Sequence, residues 1–73
     1  MKYLKLQVAS LPDKENVVSE VWFGNDQVAE VSNEDGQTIQ IEIFSPPGRS
    51  VWSFDLDAFE VILAESKSSL RNA

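Results

Sequence analysis

Cysteine and histidine are both missing from the 73 residues. Without cysteine there are no disulfide staples of the kind that hold small secreted domains together, no thiolate metal sites and no thiol nucleophile. Without histidine the commonest general base is gone, and with it the usual zinc sites and every Ser-His or Cys-His arrangement. Positive charge is also scarce, with six Lys and Arg against twelve Asp and Glu and a formal net charge of -6. That balance repels phosphate backbones and anionic headgroups, so direct binding to nucleic acid or to a membrane is not expected. Long apolar runs are lacking as well. Met1-Lys2-Tyr3-Leu4-Lys5-Leu6-Gln7 alternates in polarity and never builds the core of a signal peptide, and no stretch approaches a membrane span. The expectation is a soluble, cytoplasmic product, and a Met at the start with no tag at the end reads as a complete small open reading frame. No glycine-rich phosphate loop, nucleophile elbow or metal-ligand spacing occurs. No cofactor, no metal and no catalytic residue are therefore expected.

What is present, 42% apolar residues, suffices for one core, and the expectation is a single domain over residues 1–73. That core is thin against a cost of about 1.5 kcal/mol for ordering each residue, which makes dimerisation a natural supplement. Tyr3 to Ala9 alternates, with Leu4, Leu6 and Val8 on one side and Tyr3, Lys5 and Gln7 on the other. That pattern is a strand. Leu11-Pro12-Asp13-Lys14-Glu15-Asn16 is a loop, polar and carrying a proline. Val17 to Phe23 is rich in β-branched and aromatic residues, and Gly24-Asn25-Asp26 offers a turn before Gln27 to Ser32 resumes the extended pattern. Asn33-Glu34-Asp35-Gly36 gives a second hairpin signal, read as a three-residue loop with a type I turn and a bulge, leading into Gln37 to Phe44. Ser45-Pro46-Pro47-Gly48 forbids helix and internal strand. Val51 to Phe54 is then an edge strand or an extended lead-in, with Trp52 and Phe54 pointing inward.

From Asp57 the period changes: Phe59, Ile62, Leu63, Ser66 and Leu70 share one stripe of a helix expected from about Ala58 to Ser69. Asp57 as N-cap with Glu60 three residues on reads as a capping box, and Leu56 with Val61 as a hydrophobic staple. The whole is an α+β fold: a small antiparallel β-sheet of three to five strands in a meander, packed on one C-terminal α-helix. The helix is expected over Ile39, Ile41 and Ile43, with Ile41 central to the core. Counting outward from the two loops pairs Val21 with Ala29, Ala29 with Ile41 and Val31 with Ile39 on the helix side. The other face then carries Trp22, Val28 and Glu42 in one row and Glu20, Glu30 and Gln40 in the next, with Val18 and Phe44 alongside. A slip of one residue in either hairpin inverts a strand.

Glu20, Glu30 and Glu42 are the main chemical candidates, as acid-base carboxylates, as oxygen ligands for a divalent cation, or simply as a solvated sheet face. Glu20 opposite Glu30 repels, by about 0.2–1 kcal/mol, unless something such as Lys5 relieves it. Asp55 and Asp57 form a D-x-D pair, but capping alone explains Asp57. Asn33 to Gly36 lacks the length and terminal glutamate of a calcium loop, and Arg49 after Pro46-Pro47-Gly48 marks a rigid loop. Trp22, with Val18, Val28 and Phe44, places an apolar group on the face the helix leaves open, which reads as a binding surface. The expected function is thus a small acidic protein-interaction module that binds a protein partner or itself through Trp22, Val28, Glu20, Glu30, Glu42 and Phe44. The alternatives are an inhibitor-type protein (an immunity protein, antitoxin or nucleic-acid mimic) directed at a basic target, an accessory subunit of a larger assembly, and an enzyme working by carboxylates or a cation alone.

Overall fold

The computed structural model describes residues 3–71; Met1 and Lys2, the first two residues of the alternating N-terminal run, lie outside them. Four strands, β1 (Leu4–Ala9), β2 (Val18–Phe23), β3 (Asp26–Ser32) and β4 (Gln40–Ile43), precede one helix, α1 (Leu56–Arg71). The strands lie in the order β1-β2-β3-β4, each antiparallel to the next. This is the expected meander with its first strand at an edge. Val51 to Phe54 joins no sheet and forms the extended lead-in to the helix.

The helix faces Leu4, Leu6 and Val8 of β1 and Ser19, Val21 and Phe23 of β2, which are paired across the two strands. The Ser19 hydroxyl donates to the backbone carbonyl of Ser66 at 2.9 Å, and the Ser66 hydroxyl donates to the carbonyl of Ile62 at 2.7 Å. Both serines are completely buried. Their small side chains let the helix backbone come down onto the sheet, and both hydroxyls are satisfied, which removes the cost of burying them. Phe59, Ile62, Leu63, Ser66 and Leu70 do form the buried or half-buried stripe.

Coverage is where the sequence reading fails. A helix is about 10 Å across and strands are spaced about 4.8 Å apart, so one helix covers roughly two strands. Here it packs on β1 and β2, touches β3 marginally and does not reach β4. The space over β3 is filled instead by the chain leading to the helix. Phe54 stacks on Phe59 (5.3 Å between centroids, 11°) and on Trp52 (5.5 Å, 22°), and meets Phe23 edge-on (5.1 Å, 73°). The Trp52 indole donates to the carbonyl of Phe44 at 2.6 Å. These aromatics pack against the buried cluster of Val21, Val28, Ala29 and Ile62. Ile41 and Ile43, expected at the core, are 44% and 62% exposed.

The registers follow from the turns. Phe23 pairs with Asp26 across Gly24-Asn25, and only Gly24 has a positive φ, 62°, as a two-residue type II′ turn requires. That loop is one residue shorter than expected, and a bulge between Val21 and Trp22 restores the count, so that Val21 still faces Ala29 and Glu20 still faces Glu30. The extra residue is Val28, which is fully buried in the core cluster. This corrects its assignment to the open face: the bulge takes it out of the regular alternation. In the β3–β4 connection the backbone N–H of Gln37 donates to the carbonyl of Glu34 at 3.2 Å, with Gly36 at φ 77°. Positive φ at that position belongs to a type II turn. The loop runs from Asn33 to Ile39, and β4 shifts by two residues, so that Ala29 faces Ile43 and Val31 faces Ile41. A shift of two preserves which face each side chain occupies.

The helix start is also corrected. The Asp55 carboxylate accepts from the backbone N–H of Ala58 at 2.9 Å, and the Asp55 carbonyl accepts from Phe59. Asp55 is thus the N-cap, Leu56 and Asp57 are the first two helical residues, and no capping box forms because Ala58 occupies the third. Leu56 and Val61 are 70% and 57% exposed and bury no staple. Asp55→Ala is expected to lower unfolding free energy by about 0.5–2 kcal/mol. Asp57→Ala removes only a charge favourable to the helix dipole, about 0.3–1 kcal/mol. Urea titrations of the two variants check the order. The same measurement should show Phe54→Ala costing about 3 kcal/mol or more, and Ile41→Ala well below the roughly 2–5 kcal/mol of a core truncation.

Candidate interaction face

The two-residue shift of β4 assembles a row that the expected register had split. Gln7, Glu20, Glu30 and Glu42 lie directly opposite one another across β1, β2, β3 and β4. They occupy the face turned away from the helix, since Ser19, next to Glu20, reaches it. Three carboxylates on adjacent strands stand where cross-strand neighbours have Cβ atoms about 4.5–5.5 Å apart. Gln40, expected in this row, pairs instead with Ser32. Lys5, expected to relieve Glu20, pairs with Trp22, and the residue opposite Glu20 is Gln7.

The row is not uniformly open. Glu20 is only 9% exposed, and its carboxylate accepts from the Trp22 indole at 3.3 Å. Val18 and Ser32, on the same face, are buried. Glu30 is half-buried, Glu42 is exposed and Trp22 is half-buried. Phe44, at the end of β4, is 36% exposed. Of the six expected surface residues, the structure therefore keeps Trp22, Glu30, Glu42 and Phe44 accessible, nearly closes Glu20, and buries Val28.

The β1–β2 loop borders this face, held there by the side chain of a residue in the second turn, Glu34. The Glu34 carboxylate accepts from two consecutive backbone N–H groups, Glu15 at 2.8 Å and Asn16 at 2.9 Å. The Asn16 amide in turn donates to the carbonyl of Asn33 at 2.8 Å. This clamp occupies Asn33 and Glu34, which accounts for a β3–β4 loop longer than a tight hairpin. It also brings Asp13 and Lys14 within electrostatic range of Glu30. Polar residues close in loop sequence gave no sign of a partner 18 or 19 positions away.

Burial is the main cause holding the Glu30 carboxyl above its ordinary range, followed by the charge on Glu42; Lys14 opposes the shift, and Asp13 and Glu20 add to it. Among the described residues, no three acidic side chains converge closely enough to hold a metal ion. Elsewhere, a cleft of about 380 Å³ lined by Glu15, Asn16, Val17, Asn33 and Leu70 lies at the clamped end of the sheet. Among the described residues, no helix is long and apolar enough to cross a membrane.

Comparison with known proteins yields no match: no family model, no curated protein and no solved structure is similar to this chain. The reading of the face therefore rests on its own geometry.

Because the folded state raises the Glu30 pKa, it holds that proton more tightly than the unfolded chain does. Stability from this group is fully present below the ordinary carboxyl value of 4.5 and is lost as pH rises through the higher folded value. Glu30→Gln is expected to remove that slope and to stabilise the protein near neutrality, by roughly 0.2–1 kcal/mol for relief of a like-charge pair. Thermal melts of parent and variant between weakly acidic and neutral pH check this. A parent that gains stability from Glu30 as pH rises contradicts it.

Proposed function

We propose that this chain is a small protein-interaction module whose acidic sheet face meets a basic protein surface. The observation that supports the reading is the row Glu20–Glu30–Glu42, three like charges held opposite one another, with the central one destabilised as an anion. A fold gains nothing from such a row by itself, whereas a Lys or Arg side chain laid across it relieves the repulsion. Trp22 beside the row adds a half-buried aromatic of the type enriched at interface centres and able to pair with cations. An inhibitor-type role, as an immunity protein, antitoxin or nucleic-acid mimic directed at a basic target, has this chemistry. Self-association through the same face does not, since it would set two acidic rows against each other.

The test titrates a short oligolysine peptide into the protein and follows backbone amides and the Trp22 indole N–H, separate from that of Trp52, by NMR. Binding is expected at the acidic row, falling with added salt and falling again as pH is lowered and Glu30 takes up its proton. Glu30→Gln and Glu42→Gln should each weaken it by roughly two- to fivefold, the equivalent of about 0.5–1 kcal/mol. Glu60→Gln and Glu65→Gln, on the helix, leave it unchanged. Equal losses from both pairs of variants would reduce the effect to net charge and remove the proposal.

A further inference from the structure

The outer edge of β4 has what is needed to pair with itself. The backbone N–H of Phe44 donates to the carbonyl of Val28 at 2.9 Å, which sets the phase of the strand. Antiparallel pairing turns the groups of alternate residues to the same side. Those of Gln40 and Glu42 and the N–H of Phe44 therefore face β3, while the Phe44 carbonyl accepts from Trp52 and the groups of Ile41 and Ile43 face outward. Sheet order leaves that edge without a neighbour, and no hydrogen bond among the described residues reaches the outward groups. The side chains of the same two residues lie on the helix side, opposite Val31 and Ala29. There the helix falls short of β4, and they remain 44% and 62% exposed. An apolar edge strand with free backbone groups is a template for another strand. The opposite edge, β1, is guarded by Lys5, the kind of charge that blunts such pairing.

We propose that two copies of this chain pair antiparallel along β4, with Ile41 of one opposite Ile41 of the other, to form a continuous eight-stranded sheet. Charge and the count of isoleucine pairs select this register: centring the twofold axis on Gln40 would leave Ile43 opposite Gln37. Centring the twofold axis on Glu42 would bring two carboxylates face to face, and centring it on Ile43 would set Ile41 against Ser45. Centred on Ile41, the axis places Gln40 opposite Glu42 of the second copy, twice, so that each carboxylate meets an uncharged amide, which within the single chain donates to Thr38. Ile43 then lies opposite Ile39 of the second copy, which extends the apolar strip. The axis is perpendicular to the sheet, so both helices lie on one side and flank that strip. Both acidic rows lie on the other side, with Glu42 at the seam and Glu30 and Glu20 one and two strands away from it. The interface is isologous, closes on itself and leaves only the guarded β1 edges outside.

Sedimentation across a concentration series reads the outcome. The parent is expected at twice the chain mass when concentrated, with dimerisation strengthened by salt as the net charge of -6 on each copy is screened. That trend is opposite to the one expected for a basic peptide on the acidic face, so the two proposals fail separately. Ile43→Lys puts charge into the strip at an exposed position. Ile41→Pro removes an outward N–H that no intrachain bond uses, a substitution edge strands tolerate. Each should give a monomer with the helical circular dichroism of the parent, and if Ile41→Pro disturbs the fold, Ile43→Lys decides alone. Trp22→Ala should remain dimeric. Since the chain has no cysteine, Ile41→Cys tests the register: hydrogen-bonded antiparallel pairs hold Cα atoms about 5.5 Å apart, within reach of a disulfide, so it should crosslink readily. A parent that stays monomeric, a dimer that survives Ile43→Lys, or a dimer lost in Trp22→Ala overturns the proposal. Crosslinking through Glu42→Cys but not Ile41→Cys overturns the register.

Discussion

The contact between Ser19 and Ser66 sets the geometry of the molecule. A hydroxyl near the start of β2 donating to a helix backbone carbonyl at 2.9 Å demands a close approach, and only small side chains at both positions permit it. With the helix seated there, one apolar stripe is spent on β1 and β2. The remaining space over β3 goes to Trp52 and Phe54, which stack into the flank of the helix through Phe59. Nothing is left to cover β4. The exposure of Ile41 and Ile43 is thus a consequence of where two serines dock a helix about two strands wide.

The opposite face is governed by connections instead of packing. The clamp from Glu34 to the amides of Glu15 and Asn16 ties two loops at one end of the sheet, lengthens the second hairpin and thereby moves β4 by two residues. That shift aligns Glu42 with Glu30 and adds a third acid to the row of Glu20 and Glu30. At the other hairpin a short turn and a bulge cancel, which keeps Glu30 opposite Glu20 while drawing Val28 into the core. Like-charge opposition across strands is unfavourable, and the burial of Glu30 sharpens it. The same loops supply the partial remedy, because Lys14 is carried to Glu30 by the clamp.

The two faces therefore divide the uses of the molecule. The helix side has a surplus of apolar surface at one edge, and the far side a surplus of negative charge. In the proposed dimer a copy of the same chain answers the first, since a twofold axis perpendicular to the sheet keeps like faces together. In the proposed function a basic protein answers the second. Opposite responses to salt separate the two interactions, because screening weakens repulsion between acidic copies and weakens attraction to a basic surface.

Polarity alternation determined a meander of three to five strands and the face of every regular strand residue, because side-chain direction in a strand depends only on parity and an error of two residues leaves parity intact. The helical stripe through Ile62, Ser66 and Leu70 was legible for a similar reason, as a local period. Trp22, Glu30, Glu42 and Phe44 could be placed on one face on that basis. Only the tertiary structure decided which acids align, which aspartate caps the helix, that Val28 is core and that Ile41 is not. Each of these turns on contacts remote in sequence or on a backbone irregularity: the Glu34 clamp, the bulge between Val21 and Trp22, the aromatic stack over β3, and a helix too narrow for the sheet beneath it. Periodicity specifies direction, and what lies in that direction is settled when the elements pack.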